Sequence, residues 1–443
     1  MEAKTKRLCE LSFWLMLLLS PFLDMINGIW SYLRAGGTGG MLSTLDLPES
    51  STLGPSLTVR LVFLALMVLY LLLIRHRRAI IMFAAIVCTW LMTFVYALVR
   101  GGDFSIFTEI EYIVRFCYSL VCLVAGERVL RASAERLDVR STLDKVLCAA
   151  ALCAALGVLI PYILGMGFYT YADPLGYRGS RGFYYAGNDI TVVMMLILPL
   201  MLCSWMEKKG KNGLWDYLRA AAAALCVVAM IIIGTKTAFV ALAVIGGVML
   251  VYAIIDVFSA KSPAMLLRFA AVGILAALAF FLISLTEADP AATVKDTVAA
   301  TGQYAETGDA QQVVLSGRTT YLIMAWHDFL ETLPLSAFVG VGRAGQFKII
   351  EMDLFEVFLY YGVLGTASML WLYLSQGIRV VFDFFRAFSF RGLACCVALG
   401  LCVGFLALAG HVLFSVTAGF YFAFMICYAR LFCSREGMDA RII

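Results

Sequence analysis

Arginine and lysine recur in this sequence where a long apolar run is about to begin. Arg178 and Arg181 stand in YRGSRGFYYAGND (177–189), Lys236 in GTKTA (234–238), Arg318 in SGRTTY (316–321) and Arg343 in VGVGRAG (339–345). Guanidinium groups and helix N-termini hold phosphate oxygens, and glycines such as Gly182 let a backbone come close to a ligand. Asn188 and Asp189 are placed to cap the helix that follows. The chemistry implied is recognition of a phosphate or pyrophosphate at a membrane surface. Each stretch also fits a plainer role, a capped loop with arginines reaching to the interface, and Lys236 fits an ordinary interfacial lysine.

Proton-transfer groups lie nearby in sequence. EMDLFE (351–356) brings Glu351, Asp353 and Glu356 just before an apolar run, and His327 follows Arg318 beside Asp328 and Glu331. The separation of Arg318 and His327 is about two and a half helical turns, which sets them on roughly opposite faces. Glu351, Asp353 and His327 are the candidates for a general base, the two acids ahead of the histidine. A carboxylate fills that role when burial raises its proton affinity. The plainer reading of both acids is a cap and first-turn charge at a helix N-terminus. Other chemistries find no support. There are only three histidines, with no CxxC or HExxH spacing, so no protein-built metal site is expected. No Walker A loop or GxGxxG is present, so neither ATP nor a dinucleotide cofactor is expected. The 13 cysteines fall in apolar runs or on the inner side, which argues against a disulfide framework.

The elements that must position these groups are membrane helices. Of 443 residues, 62% are hydrophobic and 14% charged, far from the balance of a soluble domain. About twelve runs are long enough to span a bilayer: 9–27, 57–74, 79–99, 109–127, 146–167, 188–206, 216–234, 237–257, 265–285, 355–375, 392–409 and 411–430. The fold class is an all-α polytopic membrane protein. The first run reads as an uncleaved signal anchor. Most of the 34 Lys and Arg fall on one side of this topology, which puts both termini in the cytoplasm. The modest net charge of +4 gives no reason to expect a nucleic-acid partner. Residues 1–285 hold nine spans, 286–354 form a large outer loop with short helices, and 355–443 hold three spans and a tail. RVLRASAERLDVRSTLDK (128–145) and RVVFDFFRAFSFR (379–391) read as interfacial helices on the inner leaflet. Arg115 lies inside its span, where it is expected to pair with Glu109 or Glu111 or to line a cavity.

Four stretches resemble the O-antigen ligase and Wzy-type polymerase superfamily of bacterial envelope glycosyltransferases. RGFYYAGNDITVVMMLILPL is similar to the family's Gly-aromatic…Asn element opening a span. GTKTAFVAL is similar to its polar tip between spans. SGRTTYLIMAW with VGVGRAG resembles the ends of its large outer loop, and EMDLFEVFLYYGVLG the segment leading into the next span. The resemblance covers roughly 175–370 and extends to the first half only in hydropathy. It implies metal-independent glycan transfer outside the plasma (inner) membrane from undecaprenyl pyrophosphate to a glycan, lipid or wall-polymer acceptor. A chain-length regulator is a further partner in polymerases of this kind, and membrane lipids are partners throughout. Carried over by motif, Arg181 and Arg318 hold the pyrophosphate, Lys236 comes next, and Arg178 and Arg343 follow. Gly182 and Asn188 support the site. One departure stands out: Glu351 occupies the position where ligases of the family have a histidine.

The rival class is a transporter or flippase of a lipid-linked oligosaccharide. Such proteins carry ionisable groups near the bilayer midplane and internal repeats. Here mid-span charge is sparse, no repeat relates the halves, and polar residues gather on one side.

Overall fold

In lipid every backbone N–H and C=O must be satisfied internally, and a helix does this within one segment. The computed structural model describes residues 2–37, 40–43, 55–100, 106–173, 176–208, 210–306, 318–343, 350–408 and 410–432. Its helices are α1 (Glu2–Arg34), α2 (Pro55–Leu73), α3 (Arg77–Val99), α4 (Ile106–Ala134), α5 (Val139–Ile163), α6 (Gly187–Met206), α7 (Leu214–Ile233), α8 (Lys236–Ala260), α9 (Ala264–Ser284), α10 (Pro290–Glu306), α11 (Arg318–Glu331), α12 (Leu335–Val339), α13 (Asp353–Arg386), α14 (Phe390–Leu408) and α15 (Val416–Phe432). Ten are long and apolar enough to cross a membrane: α1–α3, α5–α9, α13 and α14. Two more, the charge-bearing α4 and the shorter α15, run between the same two ends of the bundle. The protein is an all-α multi-pass membrane protein, as its composition requires.

The bundle is wound around α6, which is buried on all sides from Ile190 to Met206. It packs against α5, α7, α8, α9, α14 and α15. The alanine runs of α5 and α7 face each other, since small residues let membrane helices approach closely. One end of the bundle is tied by Arg391, only 4% exposed. Its guanidinium reaches Asp144 at 3.3 Å, Ser204 at 3.1 Å, Glu207 at 3.5 Å and the Tyr428 hydroxyl. Breaking such a buried pair from one side costs about 3–5 kcal/mol, so Arg391 pins α5, α6, α14 and α15 together.

The other end carries the features that position the site. A small three-stranded sheet lies there: β1 (Met41–Leu42), β2 (Gly167–Asp173) and β3 (Gly176–Gly182). β1 pairs parallel to β2, and β2 antiparallel to β3, with Tyr169 opposite Ser180 and Tyr171 opposite Arg178. Alternating side chains explain the strands: in β2 the residues Tyr169 and Tyr171 share one face, and on β3 Arg178 and Ser180 do. Tyr32 of α1 meets Phe168 edge to face at 6.0 Å, fixing the sheet to the bundle.

α13 is two helical segments joined at Gly362, whose φ/ψ of 63°/−165° is open to glycine. The backbone N–H groups of Val341 and Gly342 donate to the carbonyls of Leu359 and Tyr360 at 3.0 Å each, taking up groups that the kink frees. A side chain at Gly362 would meet the Phe338 carbonyl at 2.5 Å, so the approach of the two segments requires glycine.

Two sequence expectations are corrected here. Residues 128–145 are not one interfacial helix. α4 continues to Ala134, and Asp138 then caps α5 by accepting the Ser141 N–H at 3.1 Å. Residues 379–391 are the end of α13 and the start of α14. In the first stretch Val129, Leu130, Val139 and Leu143 are buried in the bundle, whereas in the second Phe382 and Phe385 stay exposed on a helix that simply continues to Arg386.

Candidate functional site

The first turn of α13 buries two acids. Asp353 is 0% exposed, and its Oδ2 accepts the N–H groups of Val412 and Leu413 at 2.6 Å each. Its Oδ1 lies 3.1 Å from His411 Nδ1. Glu356, equally buried, is 3.6 Å from the same nitrogen. Glu356 also accepts the Tyr112 hydroxyl and the backbone N–H of Glu351, the latter at 2.7 Å. Asp353 therefore does not cap its own helix, whose N-cap is Met352 with no side-chain bond. It caps the segment 411–413 between α14 and α15.

Glu351 sits just above these acids in a left-handed conformation, φ 60°. That costs a non-glycine residue roughly 1–2 kcal/mol, and such strain gathers at functional sites. Arg318, the first residue of α11, donates to Glu351 Oε2 from Nη2 at 2.9 Å and from Nε at 3.2 Å. Glu351 keeps 38% of its side chain exposed. On the far side of Tyr112's network, the Arg343 guanidinium carbon lies 4.1 Å from the Tyr112 ring centre. The Arg343 backbone N–H is held by Glu109 at 2.7 Å. Arg318, Glu351, Glu356, Tyr112 and Arg343 thus form one connected run of polar contacts.

A second set of cations lies on the β2–β3 hairpin. Arg181 is 8% exposed, and its Nε and Nη2 have no hydrogen-bond partner. Its guanidinium lies over Phe168, 5.6 Å from the ring centre. Burial drives the guanidinium down to about 10, still charged at neutral pH. Arg178 is also buried, 5.4 Å over Tyr171. The hairpin rests on the α7–α8 tip, where Gly179 approaches the Ile233 carbonyl and Gly234. Thr235 caps α8 there by accepting the Ala238 N–H at 3.2 Å, and Lys236 opens the helix. Gly182 has φ 58°, and a Cβ on it would lie 2.1 Å from the Gly157 carbonyl, so it is needed for packing of the hairpin on α5.

Asp189 ties the start of α6 to the segment that the acids hold. It does not cap α6, whose N-cap is Ala186 without a side-chain bond. From the first turn of α6 its Oδ2 accepts the Ser415 hydroxyl at 2.5 Å. Ser415 belongs to the same segment that Asp353 holds at 412 and 413. Asn188 is half-buried in that first turn. His327 stands apart: it is 74% exposed, with Glu331 at 3.4 Å, on the face of α11 away from Arg318. Arg115 pairs with Glu111, one of the two partners expected for it. Residues 307–317 and 344–349, which flank Arg318 and Glu351, lie outside the described residues.

Sequence reasoning passed over His411. The signal was present in AGHVLFS, a polar break between two apolar runs, but nothing local pairs it with residue 353. Burial alone would lower its imidazole. Glu356, the hydrogen bond to Asp353 and the charges of Asp353 and Glu351 override this and hold it up at about 9. Asp189 faces it from α6, and Tyr112 on α4 bonds the same Glu356. A histidine raised above its ordinary 6.5 stabilises the fold fully below that pH and loses the contribution as pH rises through about 9. The thermal midpoint of the wild type should therefore fall over that window relative to His411→Gln, and parallel curves would rule this coupling out. Asp353, Glu356 and His411 also offer ligand atoms within 4.8 Å of one another, a spacing a metal ion can bridge. Their oxygens are already engaged by N–H and O–H donors, which fits an ion-paired imidazolium better than a cation cage.

These observations define a multi-pass membrane protein with a buried acid–histidine cluster at one end of the bundle, linked to Arg318 and Arg343, and a hairpin at that end carrying two buried arginines. The chain belongs to the family of O-antigen ligase like membrane proteins, whose family model matches residues 6–297 and 291–432. No curated protein matches it. Family membership makes it a membrane glycan-processing enzyme of the glycosyltransferase type, one that works on lipid-linked glycans.

Proposed function

We propose that the protein transfers a glycan from undecaprenyl pyrophosphate to a glycan, lipid or wall-polymer acceptor at the outer face of the inner membrane, with both termini in the cytoplasm. The observation that carries this reading is Arg181, a buried guanidinium with two nitrogens unpartnered. Burying a charge without a partner costs several kcal/mol, and a pyrophosphate is the anion that would repay it with paired hydrogen bonds. Arg318 is the second clamp, with Lys236, Arg178 and Arg343 adding positive charge. The segment 286–354 serves as the outer module that brings Arg318 and Glu351 to the bundle.

In this reading the ion pair of Arg318 and Glu351 is the resting state. An arriving pyrophosphate competes for Arg318 and frees the Glu351 carboxylate. The acceptor oxygen attacks the anomeric carbon, its proton passes to Glu351, and the bond to the pyrophosphate oxygen breaks with its electron pair on that oxygen. Direct displacement inverts the anomeric centre. Neutralising the leaving group's charge is the main catalytic contribution, and no metal is required for it. Asp353 does not act as the base, because its oxygens are committed to the 411–413 segment.

The test is reconstitution in liposomes with undecaprenyl-pyrophosphate oligosaccharide, scored for released undecaprenyl pyrophosphate and product size. A ladder of products identifies a polymerase, and single transfer to an added acceptor identifies a ligase. Movement of the intact lipid-linked sugar across the bilayer without release would replace the enzyme reading with a flippase.

A further inference from the structure

His411 is the least explained group at this end of the bundle. Its Nδ1 is engaged by Asp353 at 3.1 Å, which fixes the ring's orientation as second-layer carboxylates do for functional imidazoles. Its other ring nitrogen, Nε2, is buried and has no hydrogen-bond partner. An unpaired buried polar atom costs about 1–3 kcal/mol, so the fold keeps this nitrogen at a loss. The location is specific. His411 contacts Asp353 and Glu356 of α13 and feels the charges of Glu351, whose carboxylate Arg318 holds, and of Asp189 on α6.

Resting on the reading above, we propose that His411 is a further catalytic residue: its Nε2–H donates to the pyrophosphate oxygen that leaves the anomeric carbon. Nδ1–H to Asp353 and a proton on Nε2 together require the imidazolium form, and Asp353 and Glu356 supply the negative charge that holds it. The proton stays on nitrogen throughout. The acceptor's proton goes to Glu351, and the leaving oxygen receives a hydrogen bond as its charge grows. The donor is placed where charge develops, so its effect falls on the chemical step more than on binding.

The chain has only three histidines, His76, His327 and His411, so histidine-selective ¹⁵N labelling gives a readable spectrum. Full-length protein in liposomes is titrated with farnesyl pyrophosphate, while bound ligand is measured by radiolabel. The His411 Nε2 resonance, assigned by its loss in His411→Asn, should move with the same midpoint as binding. His411→Asn keeps an amide N–H for Asp353 and removes Nε2. Its turnover should fall by about 10²-fold, with KM changed only a few-fold. Binding without movement of the His411 signal, or normal turnover of His411→Asn, overturns the proposal and leaves the pyrophosphate reading intact. If farnesyl pyrophosphate does not bind the wild type at all, the pyrophosphate reading falls and this assignment falls with it.

Discussion

Arg181→Met should lose glycan transfer by about 10²–10³-fold, the range seen when a charge-stabilising donor is removed, while its thermal midpoint stays level or rises. The two halves of this expectation come from one observation. Arg181 is buried, carries charge, and has two nitrogens with nothing to bond. Methionine fills similar volume without the desolvation penalty, and replacing buried charge by a packed apolar side chain is often neutral or stabilising. A residue retained against stability is retained for a ligand. Arg181→Lys should fall between, since it keeps the charge and loses the planar fork. Turnover and melting measured on the same reconstituted samples decide the matter. If Arg181→Met transfers normally, the guanidinium does not serve the donor. If it unfolds the protein, Arg181 is a structural residue.

Glu351→Gln should separate binding from chemistry. Turnover should fall by about 10²–10⁴-fold, the usual contribution of a general base. Donor binding should tighten, because Arg318 loses the carboxylate it rests on at 2.9 Å and is free for the pyrophosphate. Arg318→Ala should do the reverse, weakening donor binding and abolishing transfer while leaving the protein inserted. In the double variant the losses should not add, since the two residues share one resting contact. Unchanged turnover in Glu351→Gln would move the base elsewhere and leave Glu351 as a placeholder for the ligand. Unchanged donor affinity in both single variants would mean that the ion pair is only a strut.

Much of the architecture was legible in the sequence because membrane helices write their signal locally. The apolar runs became helices, the tip at Thr235 and Lys236 became a capped turn, and RTTYLIMAW (318–326) became part of α11. The opposite faces assigned to Arg318 and His327 followed from helical spacing alone. Lipid also dictated a partner for Arg115, and Glu111 one turn away supplies it.

What the sequence could not decide is which distant groups meet. The hairpin 167–182 was read as a span end and a loop, because short strands depend on pairing that hydropathy does not record. Asp189 and Asp353 carried the signature of helix-end acids, yet both are spent on the segment 411–415, more than fifty residues away from either. His411 became notable only when α14 and α15 brought it onto α13. The lack of hydrogen-bond partners at two nitrogens of Arg181's guanidinium, the observation on which the functional reading rests, is a property of packing: among the described residues no acid is folded against it. Local composition fixes where a helix runs through lipid, since the backbone leaves no other choice there. The long-range arrangement of those helices alone determines which charges are paired and which are left for a ligand.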